Sequence, residues 1–161
     1  GAEIELVSVM SRESRLKKKI EESDIDYDYI IFDCPPSLGL LTLNALTASD
    51  SLIVPIQCEY YALEGLGQLM QTIELVQSNL NPELNLLGVV LTMNDARTNL
   101  SSQVIEEVKK YFGKDVFDTI IPRNVRLSEA PSFGEPIITY DPSSRGAKAY
   151  KELAKEVIER E

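Results

Sequence analysis

A chain of 161 residues, 43% hydrophobic and 26% charged, is long enough to bury a core and has the make-up of a globular protein rather than a disordered one. With no histidine and two cysteines, it excludes Ser-His-Asp triads, Cys-His pairs, His-ligated metals and any disulfide framework. The net charge of −10 alone argues against a nucleic-acid binder, yet residues 1–87 hold five Lys and Arg against fourteen Asp and Glu, while residues 88–161 hold eleven against twelve.

A chain this lopsided can present a basic face while staying acidic overall; the alternative is a solvated second half of mixed charge. No cation lies between Lys19 and Arg97. No apolar run reaches the roughly 18 residues that span a bilayer, and the first residues lack a basic-then-apolar signal, so a reducing cytoplasm is the expected compartment.

The opening is ambiguous: Glu3-Ile4-Glu5-Leu6 alternates like a strand, whereas Ile4, Val7 and Met10 fit a helix. Arg12 to Glu22 reads as helix. Tyr29-Ile30-Ile31-Phe32 is a short apolar, β-branched and aromatic run halted by Asp33-Cys34-Pro35-Pro36, as a buried strand reads where it meets a loop. A helix is expected over Leu40 to Ala48. Leu52 to Ile56 is a second strand, followed by a helical pattern from Ala62 to Ser78 carrying Leu63, Leu66, Leu69, Met70, Ile73 and Val76. Leu86 to Thr92 is a third strand. Leu100 to Phe112 is helical with Gly113 as its C-cap, and Val116 to Ile121 is a fourth strand stopped by Pro122. Gly146 to Arg160 is a last amphipathic helix, with Ser143 and Ser144 as cap candidates. Strand and helix alternate, and the strands are almost continuously apolar. That order predicts an α/β fold with a mainly parallel sheet and helices on both faces. No Pro/Gly/Ser-rich linker divides the chain, so residues 1–161 are expected to form a single domain.

In open α/β sheets ligands sit beyond the carboxyl ends of the strands. Asp33 falls at such an end, where an acid can hold a metal-bound water beside a phosphate; the alternative is an aspartate that caps a turn before two prolines.

Five segments carry a resemblance. Tyr27-Asp28-Tyr29-Ile30-Ile31-Phe32-Asp33-Cys34-Pro35-Pro36-Ser37-Leu38 resembles the Walker B and switch II region of the ParA/Soj partitioning ATPases, members of the P-loop NTPases of the MinD/ParA type with a deviant Walker A motif. Pro55 to Gly65 (PIQCEYYALEG) resembles the strand and helix that follow in that family. Leu91 to Thr98 (LTMNDART), Ile121 to Ser132 (IPRNVRLSEAPS) and Tyr140 to Ala147 (YDPSSRGA) resemble its later signatures. The resemblance covers essentially the whole chain.

The resemblance implies ATP and Mg²⁺ as cofactors of the parent enzyme, with Asp33 as the Walker B acid reaching Mg²⁺ through water. It places Met93, Pro122, Arg123 and Asn124 in loops that approach the adenine, several through backbone atoms. For Asn94 and Arg123 the alternative is turn chemistry and solvation. It makes Arg97 and Arg126 contacts to DNA without sequence preference, which suits a guanidinium fork that stays charged at any working pH. Arg145, Lys148, Lys109 and Lys110 could extend that patch. Otherwise the two arginines pair locally with Asp95 and Glu129. The resemblance further implies an ATP-driven homodimer, a ParB-like partner that stimulates hydrolysis, and a nucleoid-associated protein in chromosome or plasmid partitioning.

One departure stands out. No G-x-x-x-x-G-K-[ST] occurs in the 161 residues, so the phosphate-cradling loop of the family is not in this sequence. The expectation is a C-terminal portion of a ParA-type ATPase that by itself binds ATP weakly, hydrolyses none, and holds DNA weakly without regard to ATP. A second reading is a naturally truncated, non-catalytic regulatory or interaction module. A third is a MinD-type membrane ATPase, disfavoured because the last helix ends in Glu156, Glu159 and Glu161 rather than in a basic tail. No membrane partner is expected, and Cys34 and Cys58 are assigned only packing.

Overall fold

The structure is a computed structural model describing residues 6–24, 26–35, 37, 39–59 and 65–161. Its helices, in chain order, are α1 (Arg15–Glu21), α2 (Leu40–Ala48), α3 (Leu66–Asn79), α4 (Asn99–Phe112), α5 (Val125–Glu129), α6 (Ile137–Tyr140) and α7 (Arg145–Arg160). The strands are β1 (Ser51–Gln57), β2 (Asn85–Asn94) and β3 (Val116–Pro122). They form a parallel sheet in the order β1-β2-β3, with a helix between successive strands, so the expected α/β fold is present.

The chain forms two compact units, residues 1–52 with 66–85 and residues 53–65 with 86–161. In the first, Leu46, Ile73, Val76 and Leu84 form the core, flanked by Leu43, Leu52, Leu69 and Met70. Two buried amides tie its irregular segments down. Asn44 accepts from the Leu16 N–H at 3.0 Å and donates to the Arg12 and Leu40 carbonyls, both at 2.8 Å. Asn81 donates to the carbonyls of Leu46 at 3.0 Å and Ser49 at 2.7 Å. Buried amides with partners are tolerated at little cost, and these convert loop backbone into fixed geometry.

In the second unit, α7 lays Ala149, Leu153 and Val157 on Leu87, Val90, Phe117 and Ile121 of β2 and β3. Gly88 makes that approach possible, because a Cβ there would lie 2.6 Å from Phe117 Cε2. Arg160 stacks 4.1 Å above the Phe117 ring and donates to the carbonyls of Leu87, Asp115 and Val116 at 2.9–3.3 Å. The β2–β3 register pairs Val89 with Val116, Leu91 with Ile120 and Asn94 with Pro122, which requires irregularities in between. Where β3 bulges, Glu156 of α7 accepts from the N–H groups of Asp118 at 2.9 Å and Thr119 at 2.8 Å.

Most elements stand where the sequence puts them. Leu40 to Ala48 is reproduced, Ser144 caps α7 by accepting from the Ala147 N–H, and Gly113 ends α4 at φ 56°. The helix expected from Ala62 begins at Leu66, residues 62–64 lying outside those described, as do Glu3 to Glu5, Pro36, Leu38, Tyr60 and Tyr61. Arg12 to Glu22 divides into a 3-10 turn (Arg12–Ser14) and α1.

One expectation fails. Residues 29–32 adopt no strand, and Ile31 is 88% exposed. Branched and aromatic residues favour a strand only where a neighbouring ladder and an apolar cover exist, and β-propensity by itself supplies neither. Asp33 therefore stands in an irregular exposed segment rather than at a strand's carboxyl end.

Candidate functional site

The register that sets Asn94 opposite Pro122 brings the loops after β2 and β3 to one end of the sheet. A cavity of about 480 Å³ opens there. Gln57 of β1, Thr92 and Met93 of β2, and the run from Ile121 to Val125 line it, with Leu127, Ser128 and Tyr150. Three of the four residues assigned to the adenine, Pro122, Arg123 and Asn124, are consecutive on this wall, and the fourth, Met93, faces them from the neighbouring strand.

Met93 has φ 56°, a left-handed conformation that costs a non-glycine residue free energy. Strain of this kind is retained where the surrounding structure enforces it, here at the cavity wall. Next to it, the buried Asn94 Oδ1 has no hydrogen-bond partner among the described residues, while the Asn94 carbonyl accepts from the Arg123 N–H at 2.9 Å. A buried unsatisfied acceptor is costly and points to a missing donor. The cavity's size and its mixed polar and apolar lining suit a small planar ligand, and Asn94 itself is not among the residues that line it. Arg123 itself pairs with Glu59, just past β1.

The loop after β2 is built from short-range polar contacts. Thr98 caps α4, accepting from the Ser101 N–H at 3.3 Å, and the buried Ser101 hydroxyl donates to the Cys58 carbonyl at 3.3 Å. Arg97, 87% exposed, grips Asp95 with both prongs of its fork, Nε to Oδ1 at 2.8 Å and Nη2 to Oδ2 at 2.7 Å. These bonds, and the Arg97 backbone N–H at 3.1 Å, hold the Asp95 carboxyl far below the usual carboxylate range. The Arg97 guanidinium is correspondingly raised, chiefly by its hydrogen bonds to Asp95.

After β3, Asn124 caps the short α5, its side chain accepting from the Arg126 N–H at 2.9 Å. The Arg126 side chain, 54% exposed, meets Glu129 at 2.9 Å and Asp141 at 3.6 Å. Glu129 also accepts from the Tyr140 hydroxyl at 3.3 Å. Arg97, on the loop after β2, and Arg126, in α5, thus stand at the same end of the sheet as the cavity, each neutralised by its own carboxylates. Such exposed pairs are weak and screened by salt, so a polyanion can displace the carboxylates.

Asp33 belongs to the first unit and is exposed. Among the described residues no cluster of three or more Cys, Asp or Glu could cage a metal ion. Sequence reasoning missed Gln57, Thr92, Ser128 and Tyr150 as cavity residues. Tyr150 sits on the apolar side of α7, where a core role was the simpler reading, and no local signal separates the two.

The family described as AAA domain matches residues 1–86. The sporulation initiation inhibitor protein Soj of Bacillus subtilis is 69% identical over 157 residues, covering 98% of this chain and 62% of Soj. The chromosome partitioning protein ParA of Myxococcus xanthus is 58% identical over 161 residues, covering all of this chain and 57% of that protein. The chain thus spans about three fifths of the length of these relatives. A crystal structure of cobyrinic acid a,c-diamide synthase from Mycobacterium smegmatis, with bound ATP analog and magnesium, superposes with a TM-score of 0.78 at 41% identity, over 96% of this chain and 56% of that one. MinD from Pyrococcus horikoshii shares the fold, with a TM-score of 0.68 at 23% identity.

Proposed function

The chain belongs to the AAA-domain family and is a homologue of the Soj and ParA chromosome-partitioning ATPases, and from that premise we propose that it supplies the base-side pocket and the DNA-contacting loops of such an enzyme. The observation that carries this reading is the shared sheet end, where the segments after β2 and β3 that carry the exposed Arg97 and Arg126 meet beside a cavity of about 480 Å³.

In this reading Met93, Pro122, Arg123 and Asn124 enclose the base of ATP. Asp33 would hold Mg²⁺ through water, and the metal when bound would supply charge neutralisation at the phosphates. Arg97 and Arg126 exchange their carboxylate partners for DNA phosphates, a contact with no base information and a steep dependence on salt. The homodimer doubles this patch and gains avidity, a ParB-like partner promotes release, and the protein acts in the cytoplasm on the nucleoid. The 161 residues contain no Walker A loop, so on their own they hold ATP weakly and do not hydrolyse it.

Retention of a labelled duplex of arbitrary sequence at low salt tests the DNA assignment. Arg97→Ala/Arg126→Ala is expected to abolish most of it. Equal retention by this variant and its parent would remove the assignment.

A further inference from the structure

The first unit contains five cations, Arg12, Arg15, Lys17, Lys18 and Lys19, all within eight residues, while the rest of residues 1–96 carries none. Dispersed salt bridging does not account for them. Arg12 pairs with its neighbour Glu13, and Lys18 and Lys19 share one carboxylate, Glu22, at 3.9 and 3.0 Å. Arg15 and Lys17 enter no ion pair among the described residues, and Arg15, Lys17, Lys18 and Lys19 are all exposed.

The helix that carries them is fixed. Asn44 holds the Leu16 N–H and the Arg12 carbonyl, and Leu16 and Ile20 are half-buried. Arg15, Lys18, Lys19 and Glu22 fall at helical spacings of three and four, so they share one outward face around a shallow depression of about 110 Å³. Three cations against one anion on a rigid two-turn face form a preorganised polyanion contact, and side chains about 5–6 Å apart can follow successive phosphates.

We propose that the outward face of α1 is a second DNA-contacting surface, engaging backbone phosphates through Arg15, Lys18 and Lys19. The proposal deepens the DNA reading: the first unit then carries phosphate contacts of its own, besides those of Arg97 and Arg126. A lipid surface is the less favoured occupant, because the apolar residues of α1 are turned inward and leave this face nothing to insert.

The test is the salt dependence of duplex binding by the full 161-residue chain between 50 and 200 mM NaCl, read by fluorescence anisotropy. Each phosphate contact contributes about 0.9 to the slope of log affinity against log salt, so three contacts contribute about 2.7. Arg15→Gln/Lys18→Gln/Lys19→Gln is expected to flatten the slope by about that amount. Across the fourfold salt range its affinity then falls about 40-fold less than the parent's. A control with the same change of charge, Lys114→Gln/Lys151→Gln/Lys155→Gln, should keep the parental slope, and circular dichroism confirms that both variants fold. An unchanged slope in the α1 variant, or an equal flattening in the control, overturns the proposal. So does loss of binding to phosphatidylglycerol vesicles with DNA binding intact, which would assign the face to lipid. Arg97→Ala/Arg126→Ala in the same assay reports separately on the first surface, so each assignment can fail without the other.

Discussion

Gly88→Ala puts the seating of α7 on the sheet to a quantitative test. The added Cβ would lie 2.6 Å from Phe117 Cε2, 2.7 Å from Arg160 Nη1 and 2.9 Å from the Asp115 carbonyl oxygen. Phe117 is fully buried and the carbonyl is backbone, so neither can yield cheaply, and the guanidinium would give way first. Overpacking of this kind costs about 1–3 kcal/mol, and displacing Arg160 from three carbonyls places the change at the upper end, about 3 kcal/mol. With a urea dependence of about 1–3 kcal/mol per molar for a small protein, the midpoint should fall by about 1–3 M. Circular dichroism across a urea titration measures it. Gly67→Ala is the matched control: it stands in α3 with nothing within 4 Å of its Cβ, so it should raise the midpoint through helix propensity of about 0.5–1 kcal/mol. A Gly88→Ala midpoint within about 0.2 M of the parent would show that α7 does not bear on β2 and β3 as described.

Four further outcomes are expected. Asp95→Asn should strengthen duplex retention severalfold at low salt, because it releases Arg97 from its internal partner, while Glu161→Gln, an equal charge change, should not; weaker retention would mean that Asp95 orients Arg97 productively. A carbon-detected NMR titration should find Asp95 still ionised near pH ~4, where ordinary aspartates titrate, and Arg97→Ala should return its midpoint there. Because the carboxyl is depressed in the folded state, the pair's favourable contribution is complete from about pH 5 upward and is lost only as acid reaches the lowered value. Iodoacetamide should label Cys34, an exposed residue, slowly, since partial desolvation of its thiol and then the Asp33 charge raise it, and Cys58 only after unfolding. Asn124→Ala removes the cap of α5 and should cost about 1 kcal/mol by urea titration, with weaker duplex retention through a loosened Arg126.

The three strands and the longer helices were legible in the sequence because each couples a strong apolar period to a clear stop: Pro122 at the end of β3, Gly113 after α4 and Ser144 before α7. Residues 29–32 had an equally strong composition and formed no strand, since pairing is a property of neighbours and not of the segment. At the candidate site, motif order led to Met93, Pro122, Arg123 and Asn124, and the structure gathers them on one cavity. The reversed φ of Met93 and the unsatisfied Asn94 acceptor left no mark in the sequence, because both arise from how β2 ends against its neighbours. The arginine pairs with Asp95 and Glu129, one of two alternatives read from the sequence, are formed. A pair two or three residues apart is easy to anticipate; the reach from Arg126 to Asp141 needed the fold.

Glu156 gives the sheet a closed margin. At the bulge, two consecutive N–H groups of β3 already donate to its carboxylate, and the Thr119 hydroxyl donates there too, at 2.5 Å. An incoming strand, from a second copy or from an unfolded neighbour, would have to evict a charged acceptor from these donors. Such an edge resists templated stacking, so a chain with three almost wholly apolar strands carries its own guard against fibrous association on that side.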